Sequence, residues 1–218
     1  MPIGSSIRRL AASAILASGL GLGVAAHGAP ITYAFTGTVA SVDAALAPPF
    51  AAGNTLSGTY TVESTAVAVP AFSNSVSAVF YALTSLSFTL GSYNASSAAS
   101  QEIQIGNRDG VGEFTDRYAV VSRASEGLTG AAVNGGSLVG FGLRMDQNAG
   151  TLFGPANGPL PTAISLSNFD SSSFFLFFAN GAVSGTLTSL APVPEPAALA
   201  LFALGLLGLG LLARARIG

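Results

Sequence analysis

Hydrophobic and polar positions alternate along most of the chain between about residue 30 and residue 190. Apolar side chains fall on one face and Thr or Ser on the other most clearly in three segments: 31–39, 55–62 and 85–90. The alternation recurs in three further segments, 103–105, 139–145 and 164–166, and a further strand is predicted near 117–122. A period of two predicts half-buried antiparallel strands, and outward Thr and Ser suit a strand without adding charge.

Turn-forming residues separate these segments. Asn180-Gly181 divides 173–179 from 182–190 and is the strongest two-residue hairpin signal in the chain. Short strands with turns at intervals of about 8 to 20 residues favour a β-sandwich or jelly roll over a barrel. We therefore expect an all-β fold, an antiparallel β-sandwich or jelly roll.

Two features of the predicted strands have more than one interpretation. The segment 174–178, Phe-Phe-Leu-Phe-Phe, is apolar on both faces. It is either a fully buried central strand or an exposed aromatic platform for a ligand. Three fragments, FTGTV at Phe35, LSGTYTV at Leu56 and VSGTLTS at Val183, resemble one another and predict similar edge strands with Gly where neighbours crowd.

The N-terminal segment is typical of a secretory signal peptide. Arg8 and Arg9 precede an apolar stretch over 10–26, and small residues, Ala26 and Gly28, occupy the positions that a signal peptidase reads. We predict a signal helix cleaved after Gly28, with Ala26 as the second choice.

The C-terminal segment predicts a transmembrane helix. Residues 197–212 are sixteen residues without a charge, about 24 Å long as a helix. Arg214 and Arg216 follow in the tail 213–218 and form a membrane stop. Because arginines beside a span stay in the cytoplasm, the preceding domain is expected on the far side of the membrane.

The tetrapeptide Val193-Pro194-Glu195-Pro196 stands directly before that span. Its prolines hold the backbone extended, in a form that a membrane-embedded enzyme could grip. The order of this motif, the apolar span and the Arg tail resembles the PEP-CTERM sorting signal over 192–218. The resemblance implies an exosortase that cuts near the motif, in bacteria that make exopolysaccharide and biofilm matrix; the same tail occurs on some ice-binding proteins. The four motif residues would then be recognition elements.

The composition excludes several classes of chemistry. The chain has no Lys and no Cys, and its single histidine, His27, lies in the predicted signal segment. Between residues 30 and 193 nine acidic residues and four Arg give 4 − 9 = −5, which makes nucleic-acid binding a poor fit. Without Cys or His in the mature domain, we expect no nucleophilic triad, no zinc site and no cofactor.

One polar cluster has the residue types of a calcium loop. Asn107, Asp109, Glu113 and Asp116 place side-chain oxygens around a Gly turn, and such oxygens can hold Ca²⁺. The match to an EF-hand loop is poor, because the third Asx is missing and Gly112 takes a ligand position. The alternative is a polar hairpin whose acids are neutralised by neighbouring arginines.

The sequence thus predicts three parts: a signal peptide (1–28), a β-rich extracytoplasmic domain (29–191) and a sorting tail (192–218). We expect a non-enzymatic cell-surface or matrix protein, anchored in the inner membrane before processing and then at the outer surface or extracellular. The expected partners are an exosortase, the Sec export machinery, the membrane and exopolysaccharide. The alternative is a carbohydrate- or ice-binding module. Carbohydrate binding predicts a concave face lined by aromatic residues such as Tyr33, Tyr60, Tyr81, Tyr93 or Tyr118.

Overall fold

The computed structural model describes residues 28–70, 78–98, 101–106, 116–153 and 159–194. Within these ranges the regular structure is β-strand apart from three short 3₁₀ turns, at Ala44–Leu46, Ala124–Glu126 and Leu166–Asn168. The strand predicted at 164–166 is therefore wrong, because this segment leads into the third of these turns. The strands, in chain order, are β1 (Pro30–Val42), β2 (Thr55–Glu63), β3 (Val69–Pro70), β4 (Ala78–Leu90), β5 (Tyr93–Ser97), β6 (Gln101–Gly106), β7 (Asp116–Arg123), β8 (Thr129–Gly130), β9 (Leu138–Gln147), β10 (Ser171–Phe178) and β11 (Gly181–Pro192).

Eight of these strands form a closed antiparallel ring. Each pairs with the next in the order β1, β2, β4, β6, β7, β9, β10 and β11, and β11 returns to pair with β1. The short strands β3 and β5 pair with β4, and β8 pairs with β5. The fold is therefore an up-and-down β-barrel, in which chain neighbours are also neighbours in space.

The prediction of an all-β antiparallel fold is confirmed, but the prediction of a sandwich or jelly roll over a barrel is wrong. Both architectures have strands with a period of two, so alternation does not distinguish them. The difference lies in one long-range pairing, in which β1 and β11 match from Tyr33 opposite Pro192 to Val42 opposite Val183. That pairing also corrects the expectation of edge strands, because β2, β1 and β11 are consecutive and each has neighbours on both sides.

Aromatic side chains fill the interior of the barrel. A chain of ring contacts runs Phe88–Phe141–Phe35–Tyr60–Tyr33, with centroid distances of 4.2, 5.9, 6.4 and 5.1 Å. All five residues are almost completely buried. An eight-stranded barrel is just wide enough to be filled by side chains, so this interior is a packed core.

Glycines make room for those rings at inward-facing positions. A Cβ on Gly185 would overlap the carbonyl oxygen of Thr38 and the ring of Phe174. A Cβ on Gly58 would overlap the ring of Phe35 and the carbonyl oxygen of Ser87. The three similar Gly-Thr fragments therefore mark the places where a small residue lies against a large one, and the predicted crowding is confirmed.

Both ends of the barrel domain leave from the same rim. The first residues of β1 lie beside the last residues of β11, with Tyr33 opposite Pro192. The ladder continues one step further, because the Val193 N–H donates to the carbonyl of Thr32 at 2.8 Å. A segment before β1 and a segment after β11 therefore start close together.

The two predicted helices fall outside the described residues, at 1–27 and 197–212. In the ranges that the structure does describe, no helix has the length and apolar character needed to cross a membrane.

Candidate binding grooves and the sorting motif

A shallow groove of about 760 Å³ lies on the outer wall of the barrel, across β1, β2, β4, β5 and β8. We call it the hydroxyl groove. Its floor includes Gly58 together with Phe35 and Phe88, two residues whose side chains are buried in the core. Its polar side chains are Thr36, Ser57, Thr59, Ser87, Thr89, Asn94, Ser96 and Thr129, and its lining contains no charged residue.

The hydroxyls of this groove are arranged in cross-strand pairs. Ser57 shares a hydrogen bond with Thr89 at 2.8 Å, and Thr59 shares one with Ser87 at 3.2 Å. These pairs follow from the register of β2 and β4, in which each pair is directly opposite. A hydroxyl can donate one hydrogen bond and accept two, so each paired group can still bond to a ligand or water.

A second groove, of about 540 Å³, lies on the outer face of β6, β7, β9 and β10. We call it the aromatic groove. Counted in either direction round the ring, β9 is four strands from β2, so the two grooves lie on opposite walls. Phe175 and Phe177 form one side, with ring planes 9° apart and centroids 6.1 Å apart.

The aromatic groove resolves the two interpretations of residues 174–178. Phe174, Leu176 and Phe178 point into the core, whereas Phe177 is 47% exposed and Phe175 is half-buried on the outer wall. The strand is therefore not fully buried. Of the tyrosines expected on a concave face, Tyr33, Tyr60, Tyr81 and Tyr118 are buried in the interior, and Tyr93 is half-buried against the core.

Three arginines line the aromatic groove: Arg117, Arg123 and Arg144. The Nε of Arg117 donates to Asp146 at 2.7 Å, and the Nε of Arg144 donates to the other oxygen of the same carboxylate at 2.5 Å. Arg123 forms ion pairs with Glu102 at 3.3 Å and Glu126 at 2.7 Å. The lining itself includes no Asp or Glu.

Of the calcium candidates, the structure describes Asp116 alone; Asn107, Asp109 and Glu113 lie outside the described residues. Asp116 is fully buried, and its Oδ2 accepts hydrogen bonds from the backbone N–H groups of Leu152 and Phe153 at 2.5 and 2.9 Å. Its role in the described part of the chain is to fasten the segment after β9 to the start of β7. Over that same part, no three His, Cys, Asp or Glu side chains come together as a metal site would need.

The sorting motif begins where the barrel ends. β11 ends at Pro192, and Val193 and Pro194 follow it directly with both side chains exposed. Glu195, Pro196, Arg214 and Arg216 lie outside the described residues. At the other terminus, Ala26 is also outside, while Gly28 is half-buried two residues before β1.

Comparison with known proteins identifies the C-terminal motif. A family model described as the PEP-CTERM protein-sorting motif matches residues 192–216. No curated protein and no solved structure shows a significant similarity to this chain. The motif implies export, a membrane-anchored precursor and an exosortase as the processing partner. The chain thus carries a PEP-CTERM protein-sorting motif at residues 192–216.

Proposed function

We propose that this chain is a non-enzymatic protein of the cell surface or extracellular matrix, and that its barrel binds a neutral polysaccharide in the hydroxyl groove. The observation that carries the proposal is the uncharged lining of that groove, which combines eight hydroxyl- or amide-bearing side chains. Such a surface matches a ligand that is itself covered with hydroxyl groups and carries no charge.

Hydrogen bonding alone gives little net free energy per contact, because water competes for every group. A polymer compensates by repeating the same contact along its length. The cross-strand pairs at Ser57–Thr89 and Thr59–Ser87 are parallel rows of such contacts across two neighbouring strands. An extended chain lying across β2 and β4 would meet both rows.

The position of the termini supports display of both grooves. Because the barrel's two ends leave from one rim, an anchor over residues 197–212 would tether that rim. The hydroxyl groove lies on the wall of the barrel, where an anchor at the rim would leave it accessible. The non-enzymatic part of the proposal rests on the sequence, which has no Cys and no histidine besides His27.

Binding is tested by affinity electrophoresis of the full chain in gels that contain galactomannan, hydroxyethylcellulose or dextran. The variant is the double substitution Thr59→Val with Ser87→Ala, which removes both members of one pair and leaves no partner unsatisfied. The matched control is Thr32→Val with Thr61→Val, a hydroxyl pair at 2.9 Å outside the groove. We expect retardation by at least one of these polymers, weakened about tenfold by the first double variant and unchanged by the control. Equal retardation of both variants, or none of the wild type, would refute the hydroxyl groove as the site.

Processing is tested by the intact mass of the protein from its native host, beside a Glu195→Ala variant. Loss of everything after the motif in the wild type alone supports exosortase cleavage there, and a mass above the trimmed chain indicates attachment to another molecule. Retention of the Arg tail in both proteins would mean that the C-terminal segment is only a membrane anchor and is not cleaved at the motif.

A further inference from the structure

We propose that the aromatic groove is a second and separate binding site, and that it takes an acidic polysaccharide whose sugar rings carry carboxylates. The site is on the opposite wall from the hydroxyl groove and differs from it in chemistry. It combines a glycine floor, two parallel rings on the outer wall and two arginines that share one carboxylate.

The floor of the aromatic groove is formed by glycines that the packing of the barrel does not require. Gly140 and Gly142 lie on β9, directly opposite Phe177 and Phe175 on β10. A Cβ on Gly142 would come no closer than 3.8 Å to its nearest neighbour, the carbonyl oxygen of Val120. A Cβ on Gly140 would meet Ser122 at 3.4 Å and Phe177 at 3.9 Å. Glycine weakens a strand, so a glycine such as Gly142, where an added Cβ would still have room, marks a place where something else can approach the backbone.

The rings of Phe175 and Phe177 suit flat apolar surfaces. They lie nearly parallel along one side of the glycine floor, 6.1 Å apart. The carbon-bound hydrogens on a pyranose face are apolar and slightly positive, so they pack on the negative face of an aromatic ring. Two rings in a row can contact two successive sugars of one chain.

The arginines decide the charge of the ligand. Three of the four Arg between residues 30 and 193 line this groove, although that region is acidic overall. Asp146 is shared by Arg117 and Arg144, so these two guanidiniums have a single ion-pair partner between them. Arg123, in contrast, is held by two glutamates. A guanidinium binds a carboxylate through two parallel hydrogen bonds, so the ligand's carboxylate is expected at the end formed by Arg117 and Arg144.

Asp146 acts here as a positioning residue. Asp146 is buried, and its carboxylate holds both guanidiniums through their Nε atoms. This fixes the two side chains along the same end of the groove before any ligand binds, which lowers the entropy cost of binding.

The test is isothermal titration of the full chain, in mild detergent, with oligogalacturonate and with its neutral methyl ester. We expect oligogalacturonate to bind, the methyl ester to bind roughly tenfold more weakly, and added salt to weaken only the acidic ligand. Gly142→Val fills the floor with a side chain whose Cβ has no neighbour closer than 3.8 Å, and it should abolish both. Arg144→Gln should remove the preference for the acid while leaving the affinity for the ester unchanged.

Several outcomes would overturn the proposal: no binding of oligogalacturonate, equal affinity of Gly142→Val and wild type, or equal affinity for acid and ester. Sedimentation of the unliganded protein as a dimer that Gly142→Val dissociates would instead assign the groove to a second copy of the chain. The Thr59→Val, Ser87→Ala variant should keep full affinity for oligogalacturonate, so failure at one groove is distinguishable from failure at the other.

Discussion

Two glycines on neighbouring parts of the same barrel illustrate opposite uses of a missing side chain. Gly185 faces the core, where its Cβ position is already occupied by a backbone oxygen and the ring of Phe174. Gly142 faces outward, where the same atom would meet only open groove and one oxygen at 3.8 Å. In the sequence both are simply glycines within a strand. Only the neighbouring atoms in the structure show that packing requires the first and that the second lies at an open surface.

The same substitution at these two positions should therefore have opposite effects on stability. We expect Gly185→Ala to lower the free energy of unfolding by about 3 kcal/mol, because the barrel must shift to admit the methyl group. Gly142→Ala should raise it by about 0.5–1 kcal/mol, because alanine restricts the unfolded chain more than glycine does. Urea denaturation of both variants measures the difference. Equal effects at the two sites would mean that the outer position is as crowded as the inner one.

All five tyrosines of the chain are perturbed in the same direction. Burial raises the pKa of each hydroxyl above its usual value near 10, and for Tyr93 it raises the pKa to about 12. Tyr60 and Tyr118 also share a hydrogen bond at 3.1 Å inside the core. The Tyr93 hydroxyl is buried without a hydrogen-bond partner in the structure.

These shifts predict stability that is lost at alkaline pH. In the unfolded chain tyrosine ionises near pH 10, while the folded barrel keeps its protons to higher pH, so above pH 10 the unfolded state binds fewer protons. The free energy of unfolding should be independent of tyrosine below about pH 9 and should fall as pH rises from 10 through the folded pKa values. Absorbance at 295 nm follows the titration without interference, because the chain has no Trp and no Cys.

Tyr93→Phe is the informative variant for this prediction. It should reduce the alkaline loss of stability, and at neutral pH it should leave stability equal or higher, because it removes a buried hydroxyl without a partner. A native titration centred on pH 10 would contradict the burial of these hydroxyls.

At the scale of elements, alternation predicts which residues share a face but not what each face meets. It correctly separates Phe174 and Phe178 from Phe175 and Phe177 on β10. It does not indicate that the outer pair borders a groove, because that depends on Gly140 and Gly142 in the strand alongside. The same limit applies to the hydroxyl groove. Alternation predicts that its Ser and Thr side chains face outward, but it does not predict the long-range register that places Ser57 opposite Thr89.

Asp116 links two elements, and its removal should loosen their connection. Asp116 lies in β7 and is fully buried. Its carboxylate accepts hydrogen bonds from two backbone N–H groups of the segment that follows β9. We expect Asp116→Ala to lower the free energy of unfolding by about 3 kcal/mol, because two donors to a charged acceptor lose their partner. Hydrogen exchange should show faster exchange of the Leu152 and Phe153 amides in the variant than in the wild type.

Calcium provides the control for that prediction. If Asp116 has only this anchoring role, millimolar Ca²⁺ leaves the melting temperature of the wild type unchanged. A rise in the wild type that Asp116→Ala abolishes would restore the calcium loop suggested by Asn107, Asp109, Glu113 and Asp116.

For the whole molecule, local sequence signals predict strands and targeting segments, whereas pairings between residues far apart in the sequence decide the architecture. The Val-Pro-Glu-Pro motif is contiguous, so it is recognisable without any knowledge of the fold. Closure of the barrel is the opposite case, because it joins residues at Tyr33 to residues at Pro192 and has no local signature. The pairing of the first and last strands therefore determines that the sheet closes into a barrel, which no turn between them does.

Closure also limits where processing can occur. β11 pairs with β1 up to Pro192, and the Val193 N–H extends the ladder, so a cut after Pro194 leaves every pairing intact. We expect a chain of residues 29–194 to unfold cooperatively with the full stability of the barrel. Ending the chain at 188 instead removes the buried Leu190 and the pairing of Tyr33 to Thr36 with β11, and should cost about 4 kcal/mol.

The shorter chain should also aggregate, because it exposes unpaired strand ends on β1 that the closed ring conceals. Urea denaturation and light scattering of the two truncated proteins measure both effects. If the chain ending at 188 were as stable as the chain ending at 194, closure through the last turn of pairing would be dispensable. The processing enzyme could then cut within β11, and the position of the motif immediately after the barrel would have no structural reason.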